Sequence, residues 1–501
     1  MQPNPKPPAP ASSRRLKYFL TALLFPPLGL YCLWRTSISV FRKLGCSLAI
    51  GFYCLPYAGL IIFLLVKFTG MSVEWRGGFG PSFTWHKTVP NYEAVEASRS
   101  QLRTSAPNLT HSTGGVYWTD FRGPNRDGVY AEKPILTAWP ATGLRQLWRQ
   151  PIGGGYASFV VANGLAFTVE QRRQQEAVTA YDLETGREIW AHLYDASFQE
   201  SMGGDGSRAT PTWRDGKLYS LGATGELRCL EAETGKLIWR RNILTDNQAP
   251  NLFYGVSASP LIVDGKVIVQ AGGSANKSIV AYDAQTGEPA WHALDDPAAY
   301  GSPMLVNLAG RRQLLAVSST RAFGLAVEDG KLLWEHPWVV QMNNRNIAQP
   351  VLMGTNRFLL SAGYGTGCAA VEVGESNSNF SAQTLWRNKN LKNKFTSSVF
   401  WNGHLYGLDE DRLVCLDAAT GERKWKDGNY GYGQLLLASG HLVILCGDGD
   451  LALVKASPDK HEELARVPGI KGKTWNHPAI ADGKLLVRNS VEMACYDLSV
   501  K

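Results

Sequence analysis

Ala180-Tyr181-Asp182-Leu183-Glu184-Thr185-Gly186-Arg187-Glu188-Ile189-Trp190 decides the fold, because the chain repeats its pattern as Ala281-Tyr282-Asp283-Ala284-Gln285-Thr286-Gly287-Glu288-Pro289-Ala290-Trp291. Looser copies end at Trp239, Trp334 and Trp425, and in all five a glycine (Gly186, Gly235, Gly287, Gly330, Gly421) stands four residues before the tryptophan. An apolar strand ending at an aromatic, a polar turn with glycine at a positive φ, and a strand carrying tryptophan to a packed face make a hairpin. A second hairpin signal is the Asn-Gly or Asp-Gly pair at 163–164, 215–216, 264–265, 402–403 and 482–483, which suits turns with two positive φ angles.

With Trp386 included, successive tryptophans from Trp190 to Trp425 are 39 to 52 residues apart. That is the length of four short strands with loops, and four-stranded repeats of this period are propeller blades. First strands begin near Ser158, Thr210, Ser259, Ser302, Gln349, Ser397, Gln434 and His477, which gives eight blades. The fifth (346–389) and seventh (431–468) lack the Thr-Gly turn, and the eighth runs out at Tyr496-Asp497 without a fourth strand. Gly143 to Ile152, carrying Trp148, reads as the missing strand and removes the open edge. The expectation is an all-β fold: an eight-bladed β-propeller of four-stranded antiparallel blades over 116–501, its last blade closed by an N-terminal strand. Trp148, Trp190, Trp239, Trp291, Trp334, Trp386 and Trp425 are its expected docking tryptophans.

Ahead of the propeller the composition changes. Residues 1–70 hold eight basic residues and no Asp or Glu, so the remainder carries 43 basic against 43 acidic residues. A neutral propeller offers no electrostatic footprint for a phosphate backbone, which argues against a nucleic-acid partner. With 44% hydrophobic residues and 16 tryptophans, global disorder is excluded. Leu44 to Val66 is 23 residues without a formal charge, long enough as a helix to cross a hydrocarbon core of about 30 Å. Leu16 to Trp34 is broken by Pro26-Pro27 and reads as a kinked span or a re-entrant hairpin. The expected organisation is a disordered basic tail (1–15), an α-helical membrane anchor (16–66), a linker or stalk (67–115) and the propeller. A re-entrant first stretch keeps all seven flanking Lys and Arg in the cytoplasm and the propeller outside; two full spans reverse that.

The Ala-x-Asp-x-x-Thr-Gly-x-x-x-Trp unit resembles the tryptophan-docking repeat of propellers that bind pyrroloquinoline quinone (PQQ) and of their non-catalytic relatives such as the lipoprotein BamB. The lead-in Trp118-Thr119-Asp120-Phe121-Arg122-Gly123-Pro124-Asn125-Arg126-Asp127-Gly128 is similar to the segment preceding the ring in bacterial PQQ-like repeat proteins. The resemblance implies an exported propeller on the periplasmic or extracellular side of a bacterial cytoplasmic membrane. It departs from several PQQ alcohol dehydrogenases in having no adjacent cysteine pair. Cys229, Cys415 and Cys495 instead occupy equivalent third-strand places and read as core thiols.

The sequence has no Walker, G-x-G-x-x-G, H-E-x-x-H, C-x-x-C or G-x-S-x-G signature. Gly447-Asp448-Gly449-Asp450 reads as a hairpin turn rather than a calcium loop. A ligand is expected at the mouth of the central channel, on loops ahead of the first strands. Arg208, Tyr254, Tyr300, Asn346, Lys394 and Tyr432 stand there with Asn476 and His477, and Glu170, Glu200 and Asp205 are the carboxylates expected to join them. No metal site and no cofactor is expected. The preferred reading is a membrane-anchored, non-catalytic binding or assembly platform with an envelope protein partner. The alternative is a PQQ- and Ca²⁺-dependent quinoprotein dehydrogenase oxidising an alcohol or sugar, with a carboxylate as general base.

Overall fold

A computed structural model describes residues 26–35, 38–78, 80–85, 89–104, 115, 117–340, 345–377 and 379–500. The basic tail 1–15 and residues 16–25 of the first apolar stretch lie outside them. The chain divides into two units, Met1–Lys87 and Thr88–Lys501.

In the first unit, helices Pro26–Trp34 and Val40–Thr69 precede a small hairpin, Ser72–Glu74 with Ser82–Thr84. Val40–Thr69 contains the predicted 44–66 span, buries no residue and is long and apolar enough to cross a membrane. It ends at Gly70 in the left-handed conformation, φ 71°.

The second unit is the propeller. Blades 1 to 7 are consecutive four-stranded meanders spanning Val160–Asp195, Thr212–Asn242, Leu261–Ala293, Met304–Pro337, Val351–Asn388, Val399–Asp427 and Gln434–Val467. Blade 8 takes three strands from Ala479–Asp497 and its fourth, Gln146–Pro151, from ahead of blade 1, with Trp148 opposite Cys495. Segment 67–115, expected as a stalk, contains a helix, Tyr92–Thr104. Its Arg99 donates to the carbonyl of Pro151 in the closing strand (2.8 Å) and pairs with Glu188 of blade 1 (3.2 Å), so the helix brackets the seam where the ring closes.

Asp182 Oδ1 accepts from Thr185 N (2.9 Å) and Oγ1 (2.6 Å), fixing the turn that leaves Gly186 at φ 68°. The tryptophan of the preceding blade lies on that glycine and donates its indole N–H to the same turn: Trp148 to Leu183, Trp190 to Ala232, Trp239 to Ala284, Trp291 to Val327 and Trp386 to Ala418. Each of these five tryptophans therefore couples two blades, as Trp425 does through the Ser457 carbonyl (2.9 Å). Opposite it in the third strand stands a small residue: Ala180, Cys229, Ala281, Gly324, Ala370, Cys415 or Cys495. Burial raises the three thiols, to about 11 for Cys229 and about 12 for Cys415 and further for Cys495, as expected of core groups. Blade 7 exchanges the sizes and pairs Leu453 with Ala465. Blade 5 offers no Thr-Gly turn, and Trp334 beside it donates instead to Gln313 of its own blade (2.6 Å).

A Cβ on Gly287 would sit 2.8 Å from the Trp239 ring at φ +75°. Gly287→Ala is therefore expected to lower stability by about 1–2 kcal/mol, read as the urea midpoint of the detergent-solubilised chain. An unchanged midpoint would mean that the turn does not fix the tryptophan.

Candidate functional site

The eight first-strand residues close a hydrogen-bonded circle around the channel. Ser158 N donates to Thr210 Oγ1 (2.9 Å), Thr210 N to Ser259 Oγ (3.1 Å), Ser259 N to Ser302 Oγ (2.8 Å), Ser302 N to Gln349 Oε1 (2.6 Å) and Gln349 N to Ser397 Oγ (2.9 Å). Gln434 Nε2 donates to the carbonyls of Phe395 and Trp475, His477 Nε2 meets the Leu435 carbonyl, and Ser158 Oγ donates to the His477 carbonyl. His477 is thus a structural member of the circle. Burial, with Arg122 adding to it, pushes its imidazole down to about 3 and keeps it neutral.

Across the first strands runs the lead-in 117–130. Trp118 and Thr119 accept from Val161 N and Trp213 N, and Val129–Tyr130 pairs in parallel with the first strand of blade 7. Arg126, fully buried, pairs with Asp120 and donates to the carbonyls of Ser259, Pro260 and Pro303. One side chain so fastens blades 3 and 4 from inside the channel.

Two residues ahead of the circle positions stand Tyr156, Arg208, Tyr300, Phe395, Tyr432 and Trp475. With their neighbours they form a closed band of rings and cations. Tyr254 lies 5.8 Å from Tyr300 and under Arg345 (4.9 Å), which also covers Tyr364 (5.4 Å). Lys394 lies over Tyr364 (5.0 Å) and Tyr432 (4.9 Å). Phe395 packs on Trp475 (4.6 Å), Trp475 stacks on Tyr156 (5.6 Å), and Arg208 covers Tyr156 (5.4 Å). Met202 Sδ accepts from Tyr254 Oη (3.5 Å), and Lys473 Nζ donates to the carbonyls of Met202 and Gly203 (3.2 Å each), closing the band. Phe253, beside Tyr254, is 63% exposed.

Of the eleven sequence candidates, Glu200, Asp205, Arg208, Tyr254, Tyr300, Lys394 and Tyr432 belong to the band or to the 200–208 loop that closes it. Burial lowers the Lys394 ammonium, which Glu410 at 3.7 Å partly offsets, and burial raises Asp205 against the pull of Arg208. Asn346 and Asn476 are buried supports: Asn346 donates to the Ser318 carbonyl (2.7 Å), and Asn476 to those of Gly155 and Ala157. Glu170 is a correction. It sits inside blade 1 with no exposed surface, accepting from Gly153 N, Arg172 and Tyr181, with both oxygens engaged. Burial alone would raise its carboxyl, but Arg172, then Arg99 and Arg488, hold it at about 2. Tyr156, Phe395, Trp475, Arg345 and Lys473 escaped the sequence reading. Counting two residues back from each first-strand start finds the first three.

The donor set bears on calcium and PQQ. Glu200 accepts from Met202 N, Gly203 N and Arg208, and the described residues hold no group of three His, Cys, Asp or Glu that could bind a metal. Gly447–Asp450 is a hairpin turn, with Cys446 N donating to the Asp450 carbonyl (2.8 Å).

Among curated proteins, the chain is 32% identical to a quinohemoprotein alcohol dehydrogenase of Comamonas testosteroni over 158 residues, 30% of this chain and 21% of that one. It is 25% identical to the outer membrane protein assembly factor BamB of Bordetella pertussis over 165 residues, 33% of this chain and 37% of that one. The match thus spans about a fifth of the quinohemoprotein's length and just over a third of the other's. The crystal structure of BamB from Moraxella catarrhalis superposes with a TM-score of 0.52 at 15% identity, covering 72% of this chain and 98% of that one. The family described as outer membrane protein assembly factor BamB matches residues 82–192 and 174–427. Those segments cover more than half of the sequence, and the chain belongs to that family.

Proposed function

We propose that this protein is a non-catalytic binding platform of the bacterial cell envelope. It is held in the cytoplasmic membrane by Val40–Thr69, with its propeller on the periplasmic or extracellular side and an envelope protein as partner. The observation that carries this reading is the band: rings and cations alternate around the channel mouth, while the Glu200 carboxylate is spent on Arg208 and backbone amides. Aromatic and arginine side chains are the groups that protein interfaces concentrate at their centres. Arg345 and Lys473 favour a partner surface that presents carboxylates.

A second reading, a quinoprotein dehydrogenase, draws on the stacked Tyr156 and Trp475 rings, with Phe395 tilted against Trp475 and Lys473 over it, a setting suited to a planar anion such as PQQ. A titration of the detergent-solubilised chain with PQQ and Ca²⁺, followed by tryptophan fluorescence and dye-coupled oxidation of alcohols and sugars, separates the two. The platform reading expects no turnover; saturable binding with turnover would replace it with the dehydrogenase.

A further inference from the structure

The lead-in buries two arginines in the channel, and their surroundings differ. Arg126 is paired with Asp120 and reaches three carbonyls. Arg122, equally buried, has no carboxylate within ion-pair distance among the described residues. Its Nη2 donates to the carbonyls of Ser398 (2.8 Å) and Asp127 (3.2 Å), which fixes the plane of the guanidinium. Its Nε and Nη1 are buried and meet no acceptor. On the circle at blade 5, Gln349 is held through Oε1 by Ser302 N and through its own N–H by Ser397, the neighbour of Ser398, while its Nε2 is a third buried donor without an acceptor.

A buried guanidinium is costly unless its charge is balanced and its donors are satisfied. The backbone holds two non-glycine residues in the left-handed region here, Arg122 at φ 65° and Arg126 at φ 58°, while Gly123 and Gly128 take positive φ without strain. A side chain on Gly128 would put its Cβ 2.4 Å from Arg122 Nη2. Strained residues that place an unpaired charge in an enclosed channel point to a ligand.

We infer that Arg122 is an internal anion site, in which Nε and Nη1 bind a small inorganic anion of chloride size within the propeller channel. The ion would supply the countercharge that Asp120 gives Arg126.

The test uses the full chain in detergent. At constant ionic strength, replacing gluconate by chloride is expected to raise Tm saturably, and Arg122→Lys to lose most of that dependence. A crystal soaked in bromide is expected to show an anomalous peak within hydrogen-bond distance of Arg122 Nε and Nη1. That measurement needs no variant to fold. A Tm indifferent to chloride, or a bromide-soaked channel with water alone at Arg122, would overturn the inference.

Discussion

Arg126→Met is expected to destabilise the propeller by about 3–5 kcal/mol, the range for removing one partner of a buried ion pair. The methionine fills much of the same volume, so the loss falls on chemistry rather than on a cavity. Asp120 would be left buried without its cation, and the carbonyls of Ser259, Pro260 and Pro303 would lose a shared donor. These acceptors lie at the first strands of blades 3 and 4, and Thr212 of blade 2 also touches the guanidinium (3.3 Å), so the effect is on the ring and not on one hairpin. Arg126→Lys is expected to recover only part of the loss, because an ammonium cannot reproduce the planar fork that meets Asp120 at Nε and Nη2 together. Urea unfolding of the detergent-solubilised chain measures both. A shift below 1 kcal/mol for the methionine variant would show that the lead-in lies in the channel without fastening it.

Glu170→Gln is expected to cost about 3 kcal/mol at neutral pH and to change how stability depends on acid. Glu170 is held at about 2 in the folded protein, below the range of an unfolded carboxyl. A depressed carboxyl contributes stability that is fully present above the unfolded value, near 4.5, and is lost as pH falls towards 2. The wild-type chain should therefore lose stability steeply between about pH 4.5 and 2, and the glutamine variant should lose less over the same interval. The network joins blade 1 to the seam: Arg488 of blade 8 donates to Thr168 Oγ1 and the Gly153 carbonyl, and Arg99 reaches in from Tyr92–Thr104. Parallel acid profiles for the two proteins would show that the Glu170 carboxylate is not what the seam depends on.

The propeller was legible because its local rules are also its packing rules. The Thr-Gly turn fixes the seat of the neighbouring blade's tryptophan, so the spacing that makes a hairpin also couples two blades. The Asn-Gly and Asp-Gly pairs all adopt two positive φ angles, and Ala309-Gly310 and Ser439-Gly440 do the same in blades 4 and 7 with less distinctive residues. The closing strand was legible because the eighth blade runs out at Tyr496-Asp497 and Gly143 to Ile152 carries Trp148 ahead of the first blade. Helix Tyr92–Thr104 was not, because it buries only a narrow face, chiefly Val95 and Arg99, and Arg99 reads as a surface charge until Glu188 and Tyr181 surround it. Glu170 misled for the converse reason. A carboxylate at the end of a strand looks available until the arginines that neutralise it, from three separated segments, are brought alongside. The mouth was half legible: Arg208, Tyr300 and Tyr432 stood out as polar or aromatic loop residues, while Phe395 and Trp475 went unmarked until the circle supplied a common origin.

The platform reading is tested most directly by a photo-reactive residue placed in turn at Phe253, Tyr432 and Trp475, and at Gly265 in an Asp-Gly turn away from the band, in the membrane-embedded chain. The account predicts a discrete cross-linked adduct of one size from the band positions, weakened by Arg345→Glu or Lys473→Glu, and none from position 265. Adducts from position 265 with none from the band would contradict it.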